Sequence, residues 1–266
     1  MKIIQNILTK NPCYTAGKKI TVKGLMLHSV GCPQPAASVF IKTWNSPEYN
    51  RACVHAFIDG NTGNVHQTLP WNHRGWHGGG KCNDTHIGVE MCEPACIKYT
   101  GGSTFTCADK ATARAVVQRT YDTAVSLFAH LCSAYKLNPL ADGVIISHKE
   151  GAAKGVASNH GDPEHLWKQL GMGYTMDTFR KAVKAAMGGS SGNVSGGSAA
   201  GVPYLVKIDT ATLNVRGGAG TNHPIVTTVN RGEIYTIVGE AMKGSTKWGK
   251  LKSDAGWISL KYTKRM

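Results

Sequence analysis

Gly24-Leu25-Met26-Leu27-His28 and Val144-Ile145-Ile146-Ser147-His148 are two short apolar runs, and each ends on a histidine. Runs of this length, rich in Leu, Ile and Val, read as buried strands. A histidine at the carboxyl end of a buried strand points into whatever cleft lies over the sheet edge. Two such residues could meet in space and offer neutral imidazole nitrogens to a metal; taken singly, each is more often an ordinary capped or hydrogen-bonded histidine. Ala56-Phe57-Ile58 and Gly88-Val89-Glu90-Met91 give two more strand-like runs. Between them lie helical patterns. Over 109–135, Val117, Tyr121, Val125, Phe128, Cys132 and Tyr135 recur three or four apart and form one apolar stripe. A second helix is expected over 176–187, capped by Thr175, and a third over 36–45. Strands alternating with helices predict an α/β domain with helices packed on a sheet.

Asn159-His160-Gly161-Asp162-Pro163 follows His148 by 11 to 14 residues and supplies a carboxylate on a rigid turn. Two histidines and one aspartate are three ligands, leaving the fourth tetrahedral position to water. Such a site lowers the pKa of bound water and polarises a carbonyl. Glu90 is out of place inside Ile87-Gly88-Val89-Glu90-Met91, because strands disfavour it and burial of a carboxylate is costly. Either it faces outward, as period-2 alternation allows, or it is a general base with a pKa raised by burial.

A composition break at 188–201, Gly-Gly-Ser-Ser-Gly-Asn-Val-Ser-Gly-Gly-Ser-Ala-Ala-Gly, has the makeup of a flexible tether. It divides the 266 residues into a front domain at 1–187 and a tail at 202–266. All eight cysteines lie in the front part. The tail reads as short strands such as 205–208, 212–216, 225–229, 233–238, 248–252 and 256–258, separated by turns like Arg216-Gly217-Gly218 and Asn230-Arg231-Gly232. That pattern predicts a small all-β barrel whose job is binding. The net charge of +14 is shared, with 20 basic against 12 acidic residues in front and 10 against 4 in the tail. Charge of this size implies a polyanionic partner: nucleic acid, anionic membrane or anionic wall polymer. Basic residues form no runs and no nucleic-acid-binding motif stands out, so nucleic acid is not expected. With no apolar span of 18 residues, neither is membrane insertion.

Taken in order, several pieces carry a resemblance. Leu27-His28, Val54-His55-Ala56-Phe57-Ile58-Asp59, Gly75-Trp76-His77-Gly78-Gly79, Ile87-Gly88-Val89-Glu90, Ser147-His148 and Gly161-Asp162-Pro163 resemble the zinc-dependent N-acetylmuramoyl-L-alanine amidases of the amidase-2 family, relatives of the peptidoglycan recognition proteins. The likeness runs over residues 20–185, and the tail resembles bacterial SH3 (SH3b) domains through Thr212-Leu213-Asn214-Val215-Arg216 and Gly256-Trp257-Ile258-Ser259. The resemblance implies a central mixed sheet flanked by helices, followed by an SH3b-like barrel. It implies Zn²⁺ held by His28, His148 and Asp162, with Glu90 as the catalytic glutamate. Family members usually carry Lys two residues before the third ligand; this chain has His160 there, as an oxyanion stabiliser or a competing ligand. His55 and His77 fall in pieces that line or support the cleft.

The implied reaction is hydrolysis of the amide between N-acetylmuramic acid and the L-alanine of the stem peptide. The implied partners are peptidoglycan and anionic wall polymer of Gram-positive bacteria, in the manner of phage endolysins and autolysins. A peptidoglycan recognition module that binds without cutting is the alternative. The start, Met1 to Lys19, lacks a sustained apolar stretch and a small-residue cleavage site, so no signal peptide is expected. Holin-dependent release or another export route would then carry the protein from the cytoplasm to the wall. Free thiols are expected for most cysteines, with Cys92 and Cys96 as the local pair to test and Cys32 as a bystander near His28.

Overall fold

The structure is a computed structural model and describes residues 1–188, 204–252 and 255–266. The tether expected at 188–201 lies, from 189 on, outside the described residues. The chain falls into two compact units.

In chain order the larger unit contains β1 (Ile3–Gln5), α1 (Pro12–Thr15), β2 (Gly24–Ser29), α2 (Ala37–Trp44), β3 (Ala56–Ile58), β4 (Val65–Gln67), β5 (His86–Met91), the hairpin β6 (Ile97–Gly101) and β7 (Thr104–Cys107), α3 (Lys110–Ala134), β8 (Ile145–Ser147), α4 (His148–Ala153), α5 (Glu164–Gln169) and α6 (Met176–Gly188). Six strands form a mixed sheet in the order β1-β4-β3-β5-β2-β8. Neighbours from β3 to β8 run parallel, and β4 is antiparallel to β3.

Alternation along the strands divides the sheet into two different faces. Leu25 and Leu27 of β2, Ile87, Val89 and Met91 of β5, Ala56 and Ile58 of β3 and Ile145 of β8 share one core with the helices. The long helix α3 is capped by Asp109, whose side chain accepts the Thr112 N–H. Its stripe of Val117, Tyr121, Ala124, Leu127, Phe128 and Leu131 is buried. Phe179 of α6 is fully buried, its ring edge-on to Tyr121 and Phe128 with centroids 5.4 and 5.2 Å away. Thr175 accepts the Thr178 N–H at 3.1 Å and so starts α6. The intervening residues, Met26 and His28 of β2, Gly88 and Glu90 of β5, and Phe57 of β3, face the other way. There Phe57 packs with Phe40 and Trp44 of α2.

The structure departs from the sequence reading at His148, which does not end its strand. Ser147 and Glu150 form a reciprocal capping box, so β8 stops at Ser147 and His148 opens α4. Strands β1 and β4, the β6–β7 hairpin and the short helices α1 and α5 were not anticipated. They have three to six residues each, too few to show a period.

The smaller unit is all β. Strands β9 (Tyr204–Ile208), β10 (Thr212–Arg216), β11 (Ile225–Asn230), β12 (Ile234–Lys243), β13 (Thr246–Leu251), β14 (Trp257–Ser259) and β15 (Thr263–Arg265) form one sheet in the order β11-β10-β14-β13-β12-β9-β15, with every pair antiparallel. Its core is Val206, Ile208, Leu213, Val215, Val229, Ile237, Leu251 and Ile258. Among the described residues no helix is long and apolar enough to cross a membrane.

Candidate metal centre

β2 and β8 are adjacent and parallel, with Leu27 opposite Ser147, so His28 and His148 leave the sheet at the same edge. Their Nδ1 atoms are 3.1 Å apart. Asp162 comes from the turn before α5, with Oδ2 3.4 Å from His28 Nδ1 and Oδ1 3.6 Å from His148 Nδ1. All three residues are buried. Donors bound to one tetrahedral ion at zinc-like bond lengths lie about 3.3–3.6 Å apart. With one ligand atom from each residue, the three donors lie within 4.8 Å of one another, close enough for one ion to draw them together, and two imidazoles with one carboxylate are a donor set that zinc accepts. Among the described residues this is the one such group of His, Cys, Asp or Glu.

The local electrostatics favour binding. Burial and the neighbouring His28 push His148 down to about 4, with Asp162 pulling the other way, so its ring is neutral at physiological pH and has a lone pair to give. Burial alone would lower His28, but the Asp162 hydrogen bond and the Glu90 and Asp162 charges outweigh it and raise it. Burial would raise Asp162, yet its contacts with His28 and His148 and the Ser29 N–H at 3.2 Å hold it below the usual carboxylate range. The centre therefore keeps a carboxylate anion and draws a cation toward His28.

Glu90 is the register partner of His28 on the neighbouring strand and shares its face. Its Oε2 is shut off from solvent and has no hydrogen-bond partner. Burial pushes its carboxyl up to about 8, opposed by His28 and assisted by Asp162 and Glu93. Glu90 is thus half-buried on the face it shares with His28, with one carboxylate oxygen shut off from solvent and unused.

The remaining sequence candidates lie around this group. His160 is not part of it; its exposed ring lies 4.3 Å from the His148 ring centroid, and its Nδ1 is 3.1 Å from Ser158 Oγ. His148 Nε2 meets the same hydroxyl at 3.1 Å. His77 is buried, with Nδ1 3.1 Å from His28 Nε2 and Nε2 3.1 Å from the His86 carbonyl. His55 is one layer further out, accepting the Gly88 N–H on Nδ1 and donating from Nε2 to the His73 carbonyl.

Sequence reasoning missed Ser158 and Glu93. Glu93 is fully buried and accepts the Gly31 N–H at 3.0 Å and the Tyr99 hydroxyl at 2.7 Å. It sits in the Cys92-Glu93-Pro94-Ala95-Cys96 stretch that was read for its thiols, and nothing in the pattern marks Ser158. All eight cysteines are free. Cys96 contacts Cys107 and the Asp109 carbonyl, not Cys92, which is buried. Burial pushes the Cys32 thiol up to about 11, keeping it protonated and a poor ligand.

The family model for N-acetylmuramoyl-L-alanine amidase matches residues 18–165, more than half of the chain, and the model for a bacterial SH3 domain matches 211–264. No curated protein matches the chain. Among solved structures, the Staphylococcus aureus hydrolase AmiA, crystallised in complex with its ligand, is 19% identical with a TM-score of 0.56, over 73% of this chain and 87% of that one. The catalytic domain of XlyA is 20% identical over 69% of this chain and 99% of its own, with a TM-score of 0.47. A mutant endolysin from Bacillus subtilis is likewise 20% identical over 69% and 99%, with a TM-score of 0.46. The likeness to AmiA is one of fold.

Proposed function

The chain belongs to the N-acetylmuramoyl-L-alanine amidase family, and from that premise we propose how it works: Zn²⁺ is held by His28, His148 and Asp162, and Glu90 is the general base. The activity is peptidoglycan hydrolysis at the amide joining N-acetylmuramic acid to the L-alanine of the stem peptide. The observation that carries the mechanism is the convergence of His28, His148 and Asp162, whose donor atoms lie within 4.8 Å of one another, beside the unpartnered Glu90 Oε2.

Bound there, Zn²⁺ supplies a Lewis acid for the scissile carbonyl and lowers the pKa of a coordinated water. Glu90 accepts a proton at Oε2 and delivers it to the leaving amine. Burial alone raises this carboxyl to about 8; a cation beside it would lower it again, toward the range where it exchanges protons readily near neutral pH. His160 stands at the exposed edge of the centre, against the His148 ring, where an N–H donor could meet the oxyanion. We assign it that role; Ser158 orients the ring by holding Nδ1. The complete donor set and the unused base favour a catalyst over a module that only binds.

The SH3-like unit is read as the wall-binding module, with the anionic polymer of Gram-positive walls as its partner and holin-dependent release or secretion as the way out. Mass spectrometry of fragments released from purified walls tests the chemistry. New amino-terminal alanine, absent from the zinc-stripped sample and restored by zinc, is the expected result. Cleavage at a sugar linkage, or full activity without metal, would overturn it.

A further inference from the structure

His28 must present Nδ1, not Nε2, as a lone pair toward Asp162 and His148, and nothing in its own strand decides which nitrogen carries the proton. The neighbouring ring does. His77 Nε2 faces the His86 carbonyl at 3.1 Å, a group that only accepts, so Nε2 bears the hydrogen. His77 is buried and no carboxylate contacts it, so its ring is neutral and its Nδ1 is an acceptor. That acceptor lies 3.1 Å from His28 Nε2, which fixes the proton of His28 on Nε2. We infer that His77 is the positioning residue that sets the tautomer and ring plane of His28, so that Nδ1 is left free for the metal. The inference deepens the zinc reading above and rests on it for its consequence, though not for its geometry.

The surrounding residues are shaped to hold this ring. The backbone N–H groups of His77 and Gly78 both donate to Asn83 Oδ1 at 2.9 Å. Gly88 lies in the middle of β5, where a Cβ would come within 2.4 Å of His77 Cγ. The strand gives up a side chain there so that the imidazole can lie against its backbone. This accounts for a glycine at a position where it weakens a strand. His55 closes the other side, its ring centroid 5.8 Å from that of His77.

The test separates a hydrogen-bonding role from space filling. In His77→Asn the amide oxygen falls where Nδ1 was and can still accept from His28. In His77→Gln the amide reaches the Nε2 position and can keep the His86 contact, but not the one to His28. Zinc affinity of the full chain, by chelator competition, should fall about 10- to 100-fold in His77→Gln and His77→Leu, with His77→Asn close to wild type. Equal affinities for Asn and Gln, or wild-type affinity in His77→Leu, would overturn the assignment. Imidazole ¹⁵N spectra of the metal-free wild type, taken at alkaline pH so that the His28 ring is neutral, supply a readout that needs no variant. His28 as the Nε2–H tautomer supports the inference, and the Nδ1–H tautomer defeats it. A protein with the Nε2–H tautomer that takes up no zinc would sink the proposed mechanism while leaving the His77–His28 relationship standing.

Discussion

Glu90 and His28 are register partners on adjacent parallel strands, so the proposed base and a proposed metal ligand are fixed side by side by backbone hydrogen bonds and not by a loop. Replacing Glu90 should therefore leave the donors in place. Glu90→Ala is expected to bind zinc as wild type does, to stay folded, and to lose on the order of 10²–10⁴ in rate. Wall-clearing assays with parallel zinc titrations check this. Lysis at the wild-type rate would remove Glu90 from the mechanism.

Zinc removal should destabilise the larger unit as well as silence it, because the donors converge only in the folded chain. At free zinc a hundredfold above Kd, the linkage is about 2.7 kcal/mol. Scanning calorimetry with and without chelator should show the larger unit's transition fall while that of the SH3-like unit stays put. Asp162→Asn keeps the shape but loses the anion, and should weaken zinc binding by more than the about 10- to 100-fold expected for loss of a supporting hydrogen bond. An unchanged transition on chelation would show that no metal is bound there.

Arg180 secures the start of α4 from a distant helix. Its guanidinium grips both Glu150 oxygens at 2.8 and 3.0 Å and donates to the Ile145 carbonyl at 2.9 Å. Glu150 in turn accepts the Ser147 N–H at 3.2 Å, one residue before His148. Charge-assisted bonds of this kind contribute about 1.5–3 kcal/mol each. Arg180→Ala should cost about 2–4 kcal/mol in denaturant unfolding, the range for breaking a paired network. A loss within experimental error would mean that the network is not needed to hold α4.

These relationships differ in how visible they are from the residues alone. The apolar runs around Leu27 and Ile146 and the stripe through Tyr121 and Phe128 are local periodicities, so the sheet and its longest helices were legible. His28, His148 and Asp162 came within reach because each closes a recognisable piece of chain. That Glu90 turns an oxygen inward was not legible, because alternation permits either face until the helices on both sides are placed. Ser158, Glu93 and the His77–His28 contact depend on loops folding back over 10 to 62 residues, and no local pattern encodes that. The end of β8 was misplaced for a different reason. The Ser147-x-x-Glu150 capping signal was there to be read, but the apolar run ahead of it outweighed it.

Glu93 gives the clearest pH signature away from the donors. It is fully buried, and burial pushes its carboxyl up to about 7 from 4.5, against the opposing pull of its Tyr99 and Gly31 hydrogen bonds. A folded-state pKa above the unfolded one means that the folded state holds the proton more tightly. The stability it lends is complete below pH 4.5, falls as pH rises toward 7, and is gone above that. The difference corresponds to about 3 kcal/mol. Glu93→Gln cannot ionise and can still accept the Gly31 N–H. Denaturant unfolding should show the variant gaining on wild type between pH 4.5 and 7 and running parallel to it above. Parallel curves over the whole range would mean that Glu93 ionises normally in the fold.

The charge of +14 makes a last prediction, about where the enzyme works and not how. The basic excess is divided between the parts on either side of 188–201, 20 against 12 and 10 against 4, so both should be drawn to an anionic wall. Raising salt from 0.1 to 1 M shortens the screening length from about 10 Å to 3 Å. That should loosen attraction to a polymer more than it disturbs a buried centre. Binding to purified walls should therefore fall steeply over this range, while cleavage of a soluble muropeptide changes little. Walls stripped of their anionic polymer should bind weakly at every salt concentration. If wall binding and soluble cleavage fall together, the charge acts on catalysis; if stripped walls bind as well as intact ones, the anionic polymer is not the partner.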